Sequence, residues 1–402
     1  MKINLIEYFR ETVAKVPNKK AVIEGDRSID FKTLDVRAKK LAFQIVKIIQ
    51  SINEPVSVFL PKSIDAVVSD LAITYSGNVY MNLDVKTPAE RIKNILETVQ
   101  PKAIITNQLQ LKNIEQILPQ DILIFDIDTI CENIEEGELL LLDRLEQLID
   151  TDPYCIINTS GSTGTPKGVV LNHKSFFDFI AWSISTLNIG NDEIIGSLSP
   201  IVFDIYSHEL CMLMTKGSTI VLLPDSLSAF PFKILEILKK QNVTYIFWVP
   251  TIMVNIANMD LLSKIELPCL NKIWFAGEVL PTKQYNYWHA CLPKSMFVNL
   301  YGPIEITLDC TYYIVDRAFS DNEPLPIGKA CRNTSVLILN EQNLPCKINE
   351  EGELCVRGTS LAMGYYNNPA KTTLAFTQNP LNTKYPELIY RTGDMVMMNE
   401  KG

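Results

Sequence analysis

Apolar and polar residues alternate along the chain in two distinct periods. Between residues 34 and 48 apolar side chains recur every three or four positions, which places them on one face of an amphipathic helix. Similar spacing predicts helices over residues 63–75, 89–98 and 232–240. Compact β-rich runs, typical of buried strands, stand at 55–60, 103–106, 122–126, 154–158, 219–223, 244–248, 272–276 and 296–300. This alternation predicts an α/β fold with largely parallel sheets.

The lengths of the predicted strands and the density of turn-forming residues change at about residue 325. Predicted strands become shorter there, and turn-forming residues crowd together at 322–324, 349–352 and 367–369. The length of 402 residues also exceeds what one compact core usually reaches. We therefore predict two packed, doubly wound α/β lobes over residues 1–324, and a small β-rich, barrel-like lobe over residues 325–402.

The last residues predict a hairpin that the chain does not complete. Residues 394–398 have the pattern of a strand, and residues 399–402 have the pattern of the turn that follows it. Gly402 stands where a hairpin turn favours glycine, because glycine accepts positive φ at little cost. Since no return strand follows, we expect the natural protein to continue past Gly402.

Composition and charge narrow the classes of function. The chain is 47% hydrophobic and 21% charged, as ordinary globular proteins are, and its formal net charge is -9. Proteins that bind the nucleic-acid backbone usually present a basic face, so we do not predict nucleic acid as a partner. No run of about 18 apolar residues predicts a membrane span, and the N-terminus lacks the apolar core of a signal peptide. The default expectation is a cytoplasmic location without membrane attachment.

The cysteines and histidines do not predict a structural metal or a disulfide framework. The nine cysteines are an odd number, are widely spaced and form no Cys-x-x-Cys pair. None of the three histidines stands at metal-ligand spacing from another. We expect the cysteines to be buried free thiols.

A loop rich in glycine and hydroxyl groups is the strongest chemical signal. Residues 159–169, TSGSTGTPKGV, follow the predicted strand at 154–158 and contain three glycines, five hydroxyls and Lys167. Close backbone approach, hydroxyl donors and one mobile cation suit the binding of a polyphosphate. The Walker sequence Gly-Lys-Ser/Thr is absent. An ordinary surface loop is the alternative, and a helix starting at Asn172 or Lys174 is expected to follow.

The loop resembles the phosphate-binding signature of adenylate-forming enzymes. This superfamily comprises acyl-CoA synthetases, luciferases and the amino-acid adenylation domains of nonribosomal peptide synthetases. Four further segments are similar to its other elements, in the same order: AITYSGNVYMNLD at 72–84, NLYGPIE at 299–305, GEL to GY at 352–365, and YRTGD at 390–394. The resemblance covers nearly the whole chain. It is closest to amino-acid adenylation domains, and it implies the fold of their N-terminal core.

The resemblance implies binding sites for ATP and Mg²⁺. Tyr301 would stack on adenine, Asn299 would reach its amino group, Asp394 would accept both ribose hydroxyls, and Glu305 would ligate Mg²⁺. Considered without the resemblance, the positions favour a core aromatic residue for Tyr301 and solvated surface charges for Glu305 and Asp394. The implied catalytic residues are Lys167, Thr163 and Glu305. The other implied nucleotide-binding residues are Thr159, Ser160, Gly161, Ser162, Gly164, Thr165 and Gly302.

Two departures from the superfamily affect the expected chemistry. Ile304 replaces the threonine that usually precedes the metal-binding glutamate, so backbone amides or Thr307 would have to serve the α-phosphate. The superfamily also uses a lysine on a mobile C-terminal lobe, which would lie past Gly402. We therefore expect this chain to bind ATP and substrate but to form the adenylate slowly.

The segment FDIYSHE at 203–209 resembles the F-D-x-S-x-W-E element of amino-acid adenylation domains. The resemblance implies that Asp204 pairs with the α-ammonium of the substrate, whereas its position alone also suits a helix N-cap. Phe247 and Trp274 are large, so we expect a small cavity for a compact polar or cationic amino acid or guanidino acid, such as serine or a short diamino acid. Asp309 could meet a second polar group or form an ion pair with a protein side chain. The implied substrate-binding residues are Asp204, Ile205, His208, Phe247, Trp274, Ala276, Leu300, Leu308 and Asp309.

The resemblance also implies that the activated acyl group passes to the phosphopantetheine thiol of an acyl or peptidyl carrier protein. Three other functions share the nucleotide motifs. An acyl-CoA or aryl-acid ligase would differ mainly at Asp204, and a D-alanine–carrier protein ligase would also fit a small pocket. A non-catalytic nucleotide-binding module is the alternative of another class, favoured by Ile304 and disfavoured by the intact Lys167, Glu305 and Asp394.

Overall fold

The computed structural model of the chain describes residues 2–129, 137–160 and 166–402. The α-helices are α1 Leu5–Lys15, α2 Phe31–Ile48, α3 Ile64–Tyr75, α4 Ala89–Val99, α5 Gln108–Ile114, α6 Gly137–Glu146, α7 His173–Thr186, α8 Asp204–Lys216, α9 Pro231–Lys240, α10 Pro250–Asn258, α11 Thr282–Cys291 and α12 Pro369–Ala375. The strands are β1 Lys20–Glu24, β2 Arg27–Asp30, β3 Pro55–Val58, β4 Val79–Asn82, β5 Ala103–Thr106, β6 Leu123–Asp126, β7 Pro153–Ser160, β8 Pro166–Asn172, β9 Ile194–Ser197, β10 Thr219–Leu222, β11 Tyr245–Trp248, β12 Lys272–Phe275, β13 Met296–Tyr301, β14 Thr311–Ile314, β15 Lys329–Ala330, β16 Thr334–Leu339, β17 Glu351–Gly358, β18 Gly364–Tyr365, β19 Phe376–Gln378 and β20 Leu388–Met397. Short 3₁₀ turns lie at Glu115–Ile117, Ile127–Thr129, Asp225–Ala229 and Ile304–Ile306.

Two sheets are largely parallel, as the alternating pattern predicted. The nine-stranded sheet has the order β15-β14-β13-β12-β11-β9-β10-β1-β2, and its strands from β13 to β1 are parallel. The seven-stranded sheet has the order β18-β8-β7-β4-β3-β5-β6, and its strands from β7 to β6 are parallel. Parallel strands need crossover connections, and helices supply most of them. The predicted α/β class is therefore confirmed.

A small antiparallel sheet follows the two larger sheets in the chain. Its order is β16-β17-β20-β19, and all its pairs are antiparallel. This sheet accounts for the short strands and crowded turns of the C-terminal sequence. The chain also returns to the seven-stranded sheet, because β18 pairs with β8. The division into lobes at about residue 325 stays a prediction.

A strand that was not predicted directly follows the hydroxyl-rich loop. Residues 166–172 form β8, which pairs antiparallel with β7 in the register Thr159 opposite Lys167 and Ile157 opposite Val169. The loop therefore joins two strands. Helix α7 begins at His173 with Asn172 as its N-cap, which confirms one of the two expected starts, and the Asn172 side chain accepts a hydrogen bond from the Ser175 amide at 2.8 Å. Buried valines on β8 favour a strand there because branched side chains pack well on a pleated surface.

Buried polar contacts link the helices of the two parallel sheets. The hydroxyl of Tyr206 on α8 donates to Asp70 on α3 at 2.8 Å, and Asn82 on β4 donates to the same carboxylate oxygen at 3.2 Å. Lys62 donates to the backbone carbonyl of Leu198 at 2.8 Å. Because buried polar groups must be satisfied, these contacts restrict how α8 sits relative to α3.

The remaining predictions from composition and residue spacing concern free thiols, metal sites and membrane spans. Eight cysteines of the described ranges are free thiols, and Cys131 lies outside those ranges. In the same ranges no group of three or more His, Cys, Asp or Glu side chains could hold a metal ion. None of the helices that the structure describes is long and apolar enough to cross a membrane. The buried cysteines are Cys155, Cys211, Cys310, Cys331 and Cys355.

Candidate active site

The segment from Tyr301 to Cys310 reverses direction between β13 and β14, and this tight turn, here called the Tyr301–Cys310 return, brings several candidate residues together. Gly302 allows it, because a Cβ there would lie 2.3 Å from the Leu308 carbonyl oxygen and 2.5 Å from the Cα of Asp309. A 3₁₀ turn follows, and then Thr307 and Leu308 have φ values of 54° and 66°. Positive φ is rare for side chains of this kind and occurs most often at functional sites.

The residues implied for adenine and ribose lie close to one another. Tyr301, at the end of β13, is half-buried, and its hydroxyl donates to the carboxylate of Asp394 on β20. Burial, and then this bond, raise the pKa of Tyr301. The Asn299 amide donates to the carbonyl of Pro326 at 2.8 Å, so its own carbonyl oxygen stays available as an acceptor for an amino group. Asp394 itself is exposed.

Glu305 and Lys167 both contact one tyrosine, Tyr365. Glu305 is only 8% exposed, so the alternative of a solvated surface charge is wrong for this residue. Its Oε1 accepts a hydrogen bond from the hydroxyl of Tyr365 at 2.8 Å. The Nζ of Lys167 lies 4.9 Å from the centroid of the same ring. Tyr365 was not predicted as a site residue, although it ends the Gly-Tyr element noted in the sequence.

The hydroxyl-rich loop is only partly within the described residues. Thr159 and Ser160 end β7, and Thr159 is paired with Lys167 on β8. The structure thus places the Lys167 end of the loop beside Tyr365, and β8 separates the Thr159 end from the strand that carries Tyr365. Five predicted residues lie outside the described ranges: Gly161, Ser162, Thr163, Gly164 and Thr165.

Asp204 is a buried carboxylate at the start of α8. It is the first residue of the helix, and Phe203 occupies the N-cap position without a side-chain capping bond, so the N-cap alternative is wrong. Its Oδ2 accepts a hydrogen bond from the backbone N–H of Leu308 at 3.1 Å. Burial raises the pKa of Asp204 to about 6. No cationic side chain of the described residues pairs with it, so the carboxylate is available to a cationic group of a ligand.

Asp309 is a second buried carboxylate near the first. It is 3% exposed, and its Oδ2 has no hydrogen-bond partner among the described residues. Burial, and then the charge of Asp204, raise the pKa of Asp309 well above its usual range. Over the same residues Asp309 forms no ion pair, so the alternative of a structural salt bridge is wrong there. Two buried carboxylates without a protein cation favour a cationic ligand.

Aromatic rings surround His208. Its ring centroid lies 5.8 Å from those of Phe247 and Trp274, and its Nε2 lies 3.1 Å from the hydroxyl of Tyr245. Burial lowers the pKa of His208 to about 3, so the imidazole is neutral. The Nδ1 of His208 and the Nε1 of Trp274 both lack a partner within the described part of the chain. The other predicted lining residues are also buried: Ile205, Ala276, Leu300 and Leu308.

The geometry therefore brings groups that suit a nucleotide close to two buried carboxylates, and the comparison with known families agrees with it. A family model described as "AMP-binding enzyme" matches residues 9–366. The chain belongs to this family. The resemblance to adenylate-forming enzymes is thereby confirmed.

Relatives of this AMP-binding enzyme are large synthetases. It is 30% identical over 404 residues to Delta-poly-L-ornithine synthetase of Acinetobacter baumannii, with 99% of this chain and 28% of that protein covered. It is 31% identical over 391 residues to gramicidin S synthase 1 of Brevibacillus brevis, with 96% and 34% covered. The chain thus spans about a third of the length of these two relatives.

Solved structures share the fold. The chain superimposes on the nonribosomal peptide synthetase FmoA3 with a TM-score of 0.88 and 20% identity, over 100% of this chain and 42% of that one. An alpha-methyl-L-serine-AMP bound form of FmoA3 gives a TM-score of 0.87 and 21% identity, over 98% and 43%. The predicted core of an adenylation domain is therefore confirmed as the fold.

Proposed function

We propose that this AMP-binding enzyme activates a small amino acid as its acyl-adenylate. A carboxylate oxygen of the substrate attacks the α-phosphorus of ATP, the bond from that phosphorus to the bridging oxygen breaks, and pyrophosphate leaves. The observation that carries the proposal is the pair of buried carboxylates, Asp204 and Asp309, which meet the Tyr301–Cys310 return beside the nucleotide-binding groups. Such a step needs positioning and charge neutralisation more than a protein nucleophile.

The residues present fit a magnesium ion carried by the nucleotide. Glu305 offers carboxylate oxygens, of which Oε1 already accepts one hydrogen bond, and it forms no ion pair with the residues that the structure describes. One carboxylate with phosphate oxygens and water is the usual surrounding of Mg²⁺ at nucleotide sites. When bound, the ion would neutralise charge on the phosphates, and Lys167, which contacts the same tyrosine as Glu305, adds a further positive charge.

The proposed substrate is a compact amino or guanidino acid with a polar or cationic side chain. Asp204 would hold the α-ammonium, and Asp309 would accept the side-chain group, with the neutral His208 and the Trp274 N–H as further partners. The names of two similar proteins are compatible with this class, because one refers to poly-L-ornithine and a bound form of another refers to alpha-methyl-L-serine. A fatty or aryl acid would leave Asp204 without a cation.

A carrier-protein phosphopantetheine thiol is the proposed acceptor of the activated group, as the resemblance to amino-acid adenylation domains implies. We also propose that the isolated chain adenylates slowly, because a lysine of the C-terminal lobe completes related sites. An acyl-CoA or aryl-acid ligase, a D-alanine–carrier protein ligase and a non-catalytic nucleotide-binding module remain the alternatives.

Amino-acid-dependent exchange between ATP and pyrophosphate tests the proposal. The assay should use the chain extended through the C-terminal lobe and a panel of small acids. Exchange with one or two compact amino or guanidino acids is the expected result. Exchange only with acids that lack a cationic group would assign the protein to the acyl or aryl ligases. Nucleotide binding without exchange for any acid would favour the non-catalytic module.

A further inference from the structure

Tyr365 occupies a position between the two charged groups that act on the phosphates in the proposed function. Its hydroxyl donates to Oε1 of Glu305 at 2.8 Å, and its ring centroid lies 4.9 Å from the Nζ of Lys167. The two contacts use different parts of one side chain. They connect residues that are 60 or more positions distant in the sequence.

The backbone around Tyr365 is held so that this side chain has little freedom. Strand β18 pairs with β8 in the register Tyr365 opposite Val169, two residues from Lys167. Because side chains alternate along a strand, Lys167 and Val169 point to the same face of β8. Val169 is paired with Tyr365 of β18, so Lys167 and Tyr365 lie on the same face of the sheet. The Tyr365 N–H donates to Thr372 Oγ1 at 2.9 Å, and the nearby Ala362 N–H donates to the Glu305 carbonyl at 2.9 Å.

Gly364 makes this approach possible. It has a φ of 121°, which side-chain-bearing residues rarely adopt, and a Cβ there would lie 2.5 Å from Thr372 Cγ2. The chain therefore turns closely against α12 just before Tyr365. The tyrosine is 6% exposed, so its hydroxyl needs a partner, and Glu305 supplies it.

We propose that Tyr365 is a positioning residue, which fixes the metal-binding carboxylate of Glu305 and the ammonium of Lys167 in one arrangement before the nucleotide arrives. The inference rests on the proposed function, because it assumes that Glu305 holds the metal of a metal–ATP complex. The Tyr365 hydrogen bond to Oε1 restricts the carboxylate plane, the hydroxyl of Tyr390 lies near the same carboxylate, and the lone pairs that these phenols do not use stay open to a cation. Residues that orient metal ligands in this way typically contribute 10- to 100-fold to metal affinity or activity.

The test measures metal–nucleotide binding, which does not depend on catalysis. Mn²⁺ serves as the probe, and its binding to the 402-residue chain with ATP is followed by electron paramagnetic resonance. Tyr365→Phe, which keeps the ring and removes only the hydroxyl, should weaken Mn²⁺–ATP binding about ten-fold or more. Tyr366→Phe is the matched control, because Tyr366 is the next residue and its hydroxyl has no contact with Glu305 or Lys167 in the described structure. The control should bind Mn²⁺–ATP like the wild type.

A double-variant cycle separates positioning from a general effect on folding. In a Glu305→Gln background, Tyr365→Phe should cause no further loss, because its effect passes through the carboxylate. Unchanged Mn²⁺–ATP affinity in Tyr365→Phe would overturn the proposal, and so would an equal loss in both backgrounds. Failure of every acid in the exchange assay would reject the proposed function but leave this binding result interpretable.

Discussion

The substitution Asp204→Asn should make the unliganded protein more stable while it abolishes tight substrate binding. Burial raises the pKa of Asp204 from 3.8 to about 6, so ionisation of this group lowers the free energy of unfolding as the pH rises. The stability that the protonated carboxyl contributes is full below about pH 4 and is lost between about pH 4 and pH 6. The loss amounts to about 3 kcal/mol at pH 8.

Asparagine does not ionise, so it avoids this loss in the free energy of unfolding, but it also loses one hydrogen bond. The amide oxygen of asparagine can still accept from the Leu308 N–H, but the carboxylate's contact with the backbone N–H of Ile205 is lost, at a cost of about 1 kcal/mol. The net gain of about 2 kcal/mol should raise the melting temperature of the free protein at pH 8 by roughly 2–6 °C. The gain should be smaller at pH 4.5, where much of the wild-type carboxyl is protonated.

Binding should change in the opposite direction. Removal of one partner of a buried ion pair costs about 2 kcal/mol or more, so the affinity for the amino acid should fall at least about 30-fold by titration calorimetry. Asp70→Asn is the control, because burial raises the pKa of Asp70 to about 7 and its hydrogen bonds are to Tyr206 and Asn82, neither of which is an implied substrate-binding residue. It should stabilise the protein but change substrate affinity by less than about three-fold. A lower melting temperature of Asp204→Asn at pH 8 would refute the reasoning, since it would require a stabilising partner for the free carboxylate.

Three further outcomes test other parts of the site. Substrate affinity of the wild type should fall below about pH 6, by up to about ten-fold for each pH unit, as the Asp204 carboxylate is protonated, and calorimetry should find no such dependence in Asp204→Asn. Gly302→Ala should lower stability by about 1–3 kcal/mol, seen as a fall in melting temperature, because its Cβ meets backbone rather than a movable side chain. Tyr301→Phe should keep ATP affinity within about three-fold, because the stacking ring remains, whereas Asp394→Ala should lose about ten-fold or more; equal losses in the two variants would contradict the assignment of ribose binding to Asp394.

The segment around the hydroxyl-rich loop shows which structure a local sequence pattern does not predict. Its composition indicated phosphate binding, but the strand β8 after it was not predicted, since Pro166 and Gly168 disfavour a strand locally. Pairing with β7 and β18 outweighs that local preference. The alternative of a helix N-cap at Asp204 was wrong because the helix begins one residue earlier than that alternative requires, and the carboxylate also accepts from the distant Leu308 amide.

The sequence by itself determined the elements and the family. Helical and strand periods depend on which side chains are apolar at short spacing, and the five motifs are read directly from neighbouring residues. Tertiary structure alone decided which residues meet: Tyr365 with Glu305, Tyr301 with Asp394, and Asp204 with the return that carries Asp309. The physical reason is that burial and hydrogen-bond partners arise from chain topology over tens to hundreds of residues. No short-range pattern encodes them, and burial and hydrogen bonding set both the pKa of a carboxylate and its availability to a ligand.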